Sequence, residues 1–429
     1  MLKLPSVETL TNPEFYQVKM TSLTWLWLGL MMLGWVMVTS ASVTTAEKLT
    51  GMASYFSIRH AIYIAISCVA FFVVSKIPLQ WWQKTSVLWM GLALIGLVLV
   101  LIPGIGHVVN GSARWLNLGI MKFQPSELAK FAAVLYVAGY LIRRQAEVQQ
   151  TWKGFVIPLA LSSAFVVLLL MEPDFGSVVV MMGAVLALLF LGGVKAGQFF
   201  LLTTVTVLLG YFVVTAEEYR MQRLLTFMQP FNPDYVYGPT YQLAQSLIAF
   251  GRGELFGVGF GESIQKLFYL PEAHTDFVFA IWAEETGLVG GLLALSLLAW
   301  FIGLVINIGW QAQKQGQLYG AFVCFGFAVI LTLQIIINLG VNIGLLPTKG
   351  LTLPFFSYGG SSLVMCAVMV AMMYRVQQDV LQAQIAETQA AEKKAKRKTR
   401  RAAKKAISKD TDGANDESVL VQAKGVHFG

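Results

Sequence analysis

Leu270-Pro271-Glu272-Ala273-His274-Thr275-Asp276-Phe277-Val278-Phe279-Ala280-Ile281-Trp282-Ala283-Glu284-Glu285-Thr286-Gly287 closes the longest polar interval of an otherwise apolar chain and runs straight into a hydrophobic span. Pro271 halts whatever precedes it, and Thr275 or Asp276 can cap a new helix by accepting its free N–H groups. On that helix Asp276, Ala280, Ala283 and Gly287 share one face, so an acid stands at the mouth of a stripe of small residues. Such an acid serves either as a plain helix cap, helped by the dipole, or as part of a site. Glu272, Glu284, Glu285 and His274 gather at the same membrane edge, which favours the site.

The span that follows sets the fold class. It runs from Phe277 to about Ile308, about thirty-two residues or roughly 48 Å of helix, against a hydrocarbon core of roughly 30 Å. Counting back about twenty residues from Ile308 puts the membrane boundary near Gly287. Glu284 and Glu285 then lie at the interface and Asp276 above it, unless the helix is strongly tilted. Gly287 and Gly291 supply a small-xxx-small contact at that depth.

Working outward, further apolar segments run roughly Leu23–Ala41, Ala61–Val74, Val87–Ile102, Leu128–Ile142, Phe155–Met171, Val178–Leu191, Phe199–Val214, Ala321–Ile337 and Ser361–Met373. The fold class read from them is an all-α polytopic membrane protein with ten transmembrane helices. A large extracytoplasmic loop, Thr215–Thr275, separates helices 7 and 8. With 56% hydrophobic and 13% charged residues, the composition excludes an ordinary soluble domain. The net charge of +8 does not indicate nucleic acid, because the basic residues cluster in a tail, Lys393-Lys394-Ala395-Lys396-Arg397-Lys398-Thr399-Arg400-Arg401. That run reads as a cytoplasmic anchor near anionic membrane lipid. Lys76, Lys84, Arg143, Arg144, Lys153, Lys195 and Lys314 fall on the tail's side, which places both termini in the cytoplasm. The expected organisation is a cytoplasmic tail over 1–20, a membrane domain over 21–375 and a basic cytoplasmic tail over 376–429, disordered or a surface helix. Cys68, Cys324 and Cys366 lie inside apolar runs, without disulfide or metal-ligand spacing, and read as small buried residues.

Other stretches could carry chemistry. Gln124-Pro125-Ser126-Glu127-Leu128-Ala129-Lys130 opens the fourth span, with Pro125 suited to a first helical position and Glu127 at the positive end of the dipole. Glu127 and Lys130 can touch; the plain reading is a local salt bridge with Lys130 snorkelling outward, the other a functional pair. Within the loop, Tyr241–Phe250 reads as a short helix along the membrane surface, with Leu243, Leu247 and Phe250 on one face and Gln242 on another. Gly251, Gly253, Gly257, Gly259 and Gly261 follow, a flexible lid or a turn-rich loop and no nucleotide fingerprint. Glu172-Pro173-Asp174-Phe175-Gly176-Ser177 is a tight turn with two more acids. Thr348–Ser362 mixes helix breakers, hydroxyls and Lys349, so it sits outside the bilayer or borders a cleft.

These motifs resemble the SEDS family (shape, elongation, division and sporulation), over about residues 20–375. Pro271-Glu272-Ala273-His274-Thr275-Asp276-Phe277, Gly251-Arg252-Gly253-Glu254-Leu255 and the Thr348–Gly360 segment are similar to the cell-division branch rather than the elongation branch. Pro239-Thr240 departs from the glycine expected before Tyr241. The resemblance implies a peptidoglycan glycosyltransferase of the bacterial inner membrane at the division septum. Its implied substrate is lipid II, a disaccharide-pentapeptide on undecaprenyl pyrophosphate. Its implied partners are a class B penicillin-binding transpeptidase and other division-complex proteins. Asp276 matches the family's essential aspartate, expected to act as general base on an acceptor sugar hydroxyl. Glu127, Lys130, Arg114, Gln242, His274 and Lys349 are the expected supporting or substrate-binding residues. Positive charge for the leaving pyrophosphate falls to Lys130, Arg114, Lys349 or a bound divalent cation (Mg or Mn).

Two readings from other classes stand beside this one. A lipid II flippase would suit ten helices with intramembrane charge, but no inverted repeat is visible and the charges gather at one face. A non-catalytic division scaffold would use its acids only as helix caps.

Overall fold

A computed structural model describes residues 13–109, 112–117, 119, 121–215, 227–234, 238, 240–347 and 350–424. The helices run α1 Pro13–Thr50, α2 Tyr55–Ser75, α3 Leu79–Leu101, α4 Pro125–Arg143, α5 Gln145–Gln150, α6 Trp152–Met171, α7 Phe175–Leu191, α8 Ala196–Thr215, α9 Tyr241–Gly253, α10 Val278–Lys314, α11 Leu318–Asn342 and α12 Gly360–Lys424. Seven of them (α1, α2, α3, α6, α10, α11 and α12) contain stretches long and apolar enough to cross a membrane, and α7 and α8 are shorter apolar helices. Eight of the ten apolar segments read from the sequence lie within one helix of this set or within α4, and the other two overrun α3 and α10 by one capping residue, Ile102 and Phe277. The chain is a multi-pass membrane protein.

By contacts, the described residues of 18–378 form one compact unit, and those of 13–17 and 379–424 belong to another. The stretch from 376, expected to be disordered or a surface helix, continues α12 as helix to Lys424. Its Ala, Lys, Gln, Glu and Arg are strong helix formers, so no apolar face is needed for the helix to form.

The larger unit is built around α4, whose residues from Pro125 to Leu141 are buried apart from Leu128. A helix enclosed on every side must be apolar or internally paired. Ala129, Ala132, Ala133 and Ala138 keep it slim enough for close neighbours. Phe131 stacks flat on Phe327 of α11, with ring centroids 5.5 Å apart. A Cβ on Gly326 would meet Val134 and Leu188, so α11, α4 and α7 pack at one point. α8 instead shows Phe200, Leu201, Leu208, Tyr211 and Phe212 outward, as a lipid-facing helix does. Cys324 and Cys366 are buried as expected, whereas Cys68 is half-exposed on α2, where lipid-facing apolar side chains surround it.

An all-α reading misses one feature. Between α3 and α4 the chain forms a small antiparallel sheet, β1 Gly106–Val109, β2 Ser112–Asn117 and β3 Lys122–Phe123, in that order. Its strands are two to six residues long, too short for alternation to announce them. The sheet matters because β2 carries Arg114.

α10 is interrupted at Gly287, whose φ of 69° and ψ of −167° break the helix at the boundary expected from span length. The break frees backbone groups, and the glycine-rich loop after α9 takes them up. Val258 and Gly259 donate to the carbonyls of Glu284 and Glu285 at 3.0 and 3.1 Å, while Leu288 and Val289 donate to the carbonyls of Glu254 and Leu255 at 2.9 and 3.1 Å. Gly253 and Gly257 lie so close to Ala283 and Glu285 that a Cβ would strike those carbonyls. The glycines expected to form a lid or a loose turn thus hold the backbone of a broken helix.

Candidate active site

The turn that carries Asp276 differs from its sequence reading in one respect. α10 starts at Val278 with Phe277 at the N-cap position and no side-chain cap bond. Asp276 lies before the helix, off the face of Ala280 and Ala283, and does not cap it. The Thr275 hydroxyl donates to the carbonyl and carboxylate of Glu272 (3.1 and 2.6 Å). Freed from capping, the Asp276 carboxylate turns to Gly350, where a Cβ would lie 3.1 Å from its Oδ2 and 3.9 Å from Nη1 of Arg114. Three distant parts of the chain, β2, the turn before α10 and the segment before α12, thereby meet around one carboxylate.

Arg114 is fixed in that place by the α6–α7 turn. Its Nε donates to the Glu172 carbonyl at 3.1 Å and its Nη2 to the Pro173 carbonyl at 2.8 Å. Asp174 caps α7 through Ser177, accepting from its N–H at 3.2 Å and its hydroxyl at 2.7 Å. The Glu172 side chain is 1% exposed, and neither carboxylate oxygen has a hydrogen-bond partner. Burial pushes its pKa up to about 8, with Asp174 adding to the rise and Arg114 opposing it. Asp276 keeps some accessible surface, yet the protein around its carboxyl pushes that pKa up to about 7. Burial is the main cause, Glu272 adds to it and Arg114 opposes it. A carboxylate poised near neutral pH is suited to accepting and returning a proton.

His274 does not aim at that carboxylate. Its ring packs between Phe56 and Tyr358, with centroids 4.6 and 5.7 Å away, and its carbonyl accepts from the Tyr358 N–H at 3.0 Å. Burial lowers its pKa, so the ring is neutral at physiological pH. Its role in the geometry is to fasten the Asp276 turn to the segment before α12. That segment, irregular from Gly350 to Gly359, is buried in protein, with Leu351, Leu353, Phe355, Phe356 and Ser357 all enclosed. Lys349 lies outside the described residues.

Glu127 and Lys130 pair at 2.8 Å inside α4, and Lys130 is 0% exposed. The lysine therefore does not snorkel. The helices packed around α4 leave it no path to water, and Glu127 Oε2 has no hydrogen-bond partner. Gln242 sits half-exposed at the start of α9. That helix extends to Gly253 and packs through Leu243, Ala244 and Ser246 against α10 and the end of α11. Glu284 and Glu285, expected at a solvated interface, are fully buried and paired. Glu284 receives Arg252 at 2.7 Å, the backbone N–H of Ile264 at 3.1 Å and the Ser263 hydroxyl. Glu285 receives Lys266 at 2.9 Å and Ser40 at 2.7 Å. These two acids anchor the loop and are spent on structure.

The structure adds two residues that sequence reasoning passed over. Asn338 and Asn342 of α11 are buried, and their carboxamides reach the Asp276 carbonyl at 2.9 and 3.0 Å. The available signal was a pair of amides one helical turn apart in an otherwise apolar run, Ile337-Asn338-Leu339-Gly340-Val341-Asn342.

A half-buried carboxyl whose pKa is raised toward neutral, beside an arginine at one end of a polytopic bundle, defines an integral membrane protein with a candidate acid–base site. The family model described as cell cycle protein, that of FtsW, RodA and SpoVE, matches residues 20–381. A protein of Pseudomonas fluorescens named probable peptidoglycan glycosyltransferase FtsW is 49% identical over 350 residues, covering 82% of this chain and 86% of the relative. One of Coxiella burnetii with the same name is 47% identical, covering 81% and 93%. Among solved structures, a chain described under structural coordination of polymerization and crosslinking by a peptidoglycan synthase complex aligns with a TM-score of 0.68 and 26% identity, covering 83% of this chain and 97% of that one. The rod shape determining protein RodA of Thermus thermophilus aligns with a TM-score of 0.61 and 27% identity, covering 84% and 96%. The chain belongs to the FtsW/RodA/SpoVE family of cell cycle proteins, as its motifs led one to expect.

Proposed function

We propose that this chain is a peptidoglycan glycosyltransferase that polymerises lipid II into glycan strands, with Asp276 as the general base. The observation that carries the reading is the Asp276 carboxyl itself, with its pKa near 7 and Arg114 beside it. The acceptor sugar hydroxyl gives its proton to Asp276 as its oxygen attacks the anomeric carbon of the donor. The bond from that carbon to the lipid pyrophosphate breaks, the pyrophosphate leaves with the electron pair, and the configuration inverts. Negative charge builds on the leaving phosphate, where a fixed cation stabilises it most. Arg114 is the described cation best situated for this, with Lys349 or a bound divalent cation (Mg or Mn) able to share the role. Lys130 is withdrawn from it by burial and by its pairing with Glu127. No three His, Cys, Asp or Glu side chains come together among the described residues. A divalent cation would therefore take most of its ligands from phosphate oxygens of the substrate and from water.

The same reading puts the Asp276 end of the bundle on the outer face of the inner membrane, both termini in the cytoplasm and the protein at the septum. A class B penicillin-binding transpeptidase and other division proteins are its partners. The names of the relatives and the synthase complex among the structural neighbours support this assignment.

The decisive experiment is Asp276→Asn, assayed with lipid II in liposomes with and without the transpeptidase and read as glycan length. Asparagine keeps the size and removes the basicity. Polymerisation should fall by roughly two to four orders of magnitude, the worth of a positioned base. Full activity in a folded Asn variant would remove Asp276 from the chemistry. A flippase would make no glycan in either form.

A further inference from the structure

The end of α11 holds a buried polar network beside the site. Asn338 and Asn342 are 2% and 0% exposed. Buried amides are costly unless fully bonded, and these two are bonded to the candidate site and to each other. Asn338 Nδ2 donates to the Asp276 carbonyl at 2.9 Å and to the Leu351 carbonyl at 2.6 Å. Asn342 Nδ2 donates to the same Asp276 carbonyl at 3.0 Å and to the Asn338 carbonyl of its own helix at 2.8 Å, and its Oδ1 accepts from the N–H of Ala280 at 3.2 Å, in the first turn of α10. The Asp276 carbonyl thus has both lone pairs engaged by side chains of another helix. Ser246 of α9 in turn donates to the Asn342 carbonyl at 2.7 Å.

The bond to Leu351 couples the two halves of the site. Leu351 follows Gly350, the residue the Asp276 carboxylate faces, and its side chain packs on Gly176 at the start of α7. One amide therefore sets the spacing between the Asp276 turn and Gly350, and through Leu351 relates both to the turn that orients Arg114.

We propose that Asn338 and Asn342 are positioning residues that hold the Asp276 peptide in register with Gly350–Leu351, so that the carboxylate stays enclosed beside Arg114. Neither touches substrate; they act through Asp276. This rests on the general-base reading above for its consequence in activity, but the positioning can be measured without activity. Among the described residues, the charged groups that act on the carboxylate are Arg114 from β2 and Glu272 from its own loop; His274 lies two residues before it, and Glu172 of the α6–α7 turn interacts with the same Arg114. Asn338 and Asn342 bring no charge of their own, so replacing them alters the titration of Asp276 chiefly by moving it, and the dipoles lost are the same in kind for both residues.

The test is an infrared difference titration of the purified full-length protein, following the carboxyl C=O stretch, with Asp276→Asn to assign the band. Asn338→Leu and Asn342→Leu remove the donors at similar volume, and Asn338→Ser and Asn342→Ser retain a shorter one. The Leu variants should lower the Asp276 midpoint by at least about one unit toward the ordinary carboxylate range, with the Ser variants between. In polymerisation, kcat should fall about ten- to a hundredfold with KM nearly unchanged, as misplacement of a catalytic group does. The acid limb of the pH profile should move down with the infrared midpoint. If the Leu variants do not fold, the Ser variants decide. An unshifted midpoint in a folded variant overturns the proposal, even where activity drops. A shifted midpoint in a protein that makes no glycan upholds the positioning and defeats the enzymatic reading instead.

Discussion

Gly287 presses on Gly257: a Cβ on Gly287 would come within 2.4 Å of the Gly257 nitrogen and 2.6 Å of the Leu255 carbonyl carbon. The contact lets the loop after α9 lie directly on the broken turn of α10. Gly287 also has a φ of +69° with an extended ψ, a combination that only glycine adopts without strain. Gly287→Ala should therefore sharply lower the thermal unfolding midpoint and the yield of folded protein. Gly303→Ala, in the same helix with nothing within 4 Å of its Cβ, should be neutral or slightly stabilising. Unfolding followed in detergent compares the two; equal midpoints would show that the break does not depend on glycine.

The Glu127–Lys130 pair is buried where water cannot replace a lost partner. Lys130→Met leaves a carboxylate alone in the core, and Glu127→Gln leaves an ammonium. Breaking such a pair from one side costs about 3–5 kcal/mol. Each single variant should insert in the membrane but lose most polymerase activity and much of its thermal stability. The double variant Glu127→Gln/Lys130→Met should recover stability, since no charge is left unpaired. Activity recovered along with stability would mark the pair as structural; stability recovered without activity would tie it to the chemistry.

A base with a pKa near 7 must be ionised to work. The pH profile of kcat/KM should therefore rise through about pH 7 and level off above it. Glu272 is exposed and its charge contributes to the raised pKa of Asp276. Glu272→Gln keeps an acceptor for Thr275 and removes that charge, so the acid limb should move to lower pH by a few tenths of a unit. A limb that stays in place would mean that Glu272 does not influence the base.

Glu172 predicts a stability effect of definite sign. Its folded pKa of about 8 stands above the ordinary value of 4.5. Between those values the folded protein holds a proton that the unfolded chain has lost, so stability falls as pH rises across that window. Glu172→Gln, which mimics the protonated form, should match the parent at pH 4.5 and exceed its unfolding midpoint by several degrees at pH 8. Identical midpoints at both values would mean that the carboxylate finds a partner or water when ionised.

Much of the architecture was readable from the chain because hydropathy and length act locally. A run of about twenty apolar residues has to become helix in lipid wherever it falls, and each such run here lies within a helix to within one residue. The same arithmetic located the end of the eighth span near Gly287, where the helix breaks. The motif around Asp276 identified the family, and its position at a span boundary marked one end of the bundle.

What each charge does there was decided in three dimensions. Glu284, Glu285 and Asp276 look alike in sequence, three acids within ten residues of one another. Glu284 and Glu285 are consumed by Arg252 and Lys266 from the loop, and only Asp276 turns toward an arginine from a strand more than a hundred residues earlier. Asn338 and Asn342 read as mild interruptions of an apolar helix until the Asp276 carbonyl comes to rest against them. Periodicity assigns a residue to a face, but the partner on that face is set by which helix ends pack together. A buried carboxylate's pKa follows from that packing and from nothing nearer in the chain.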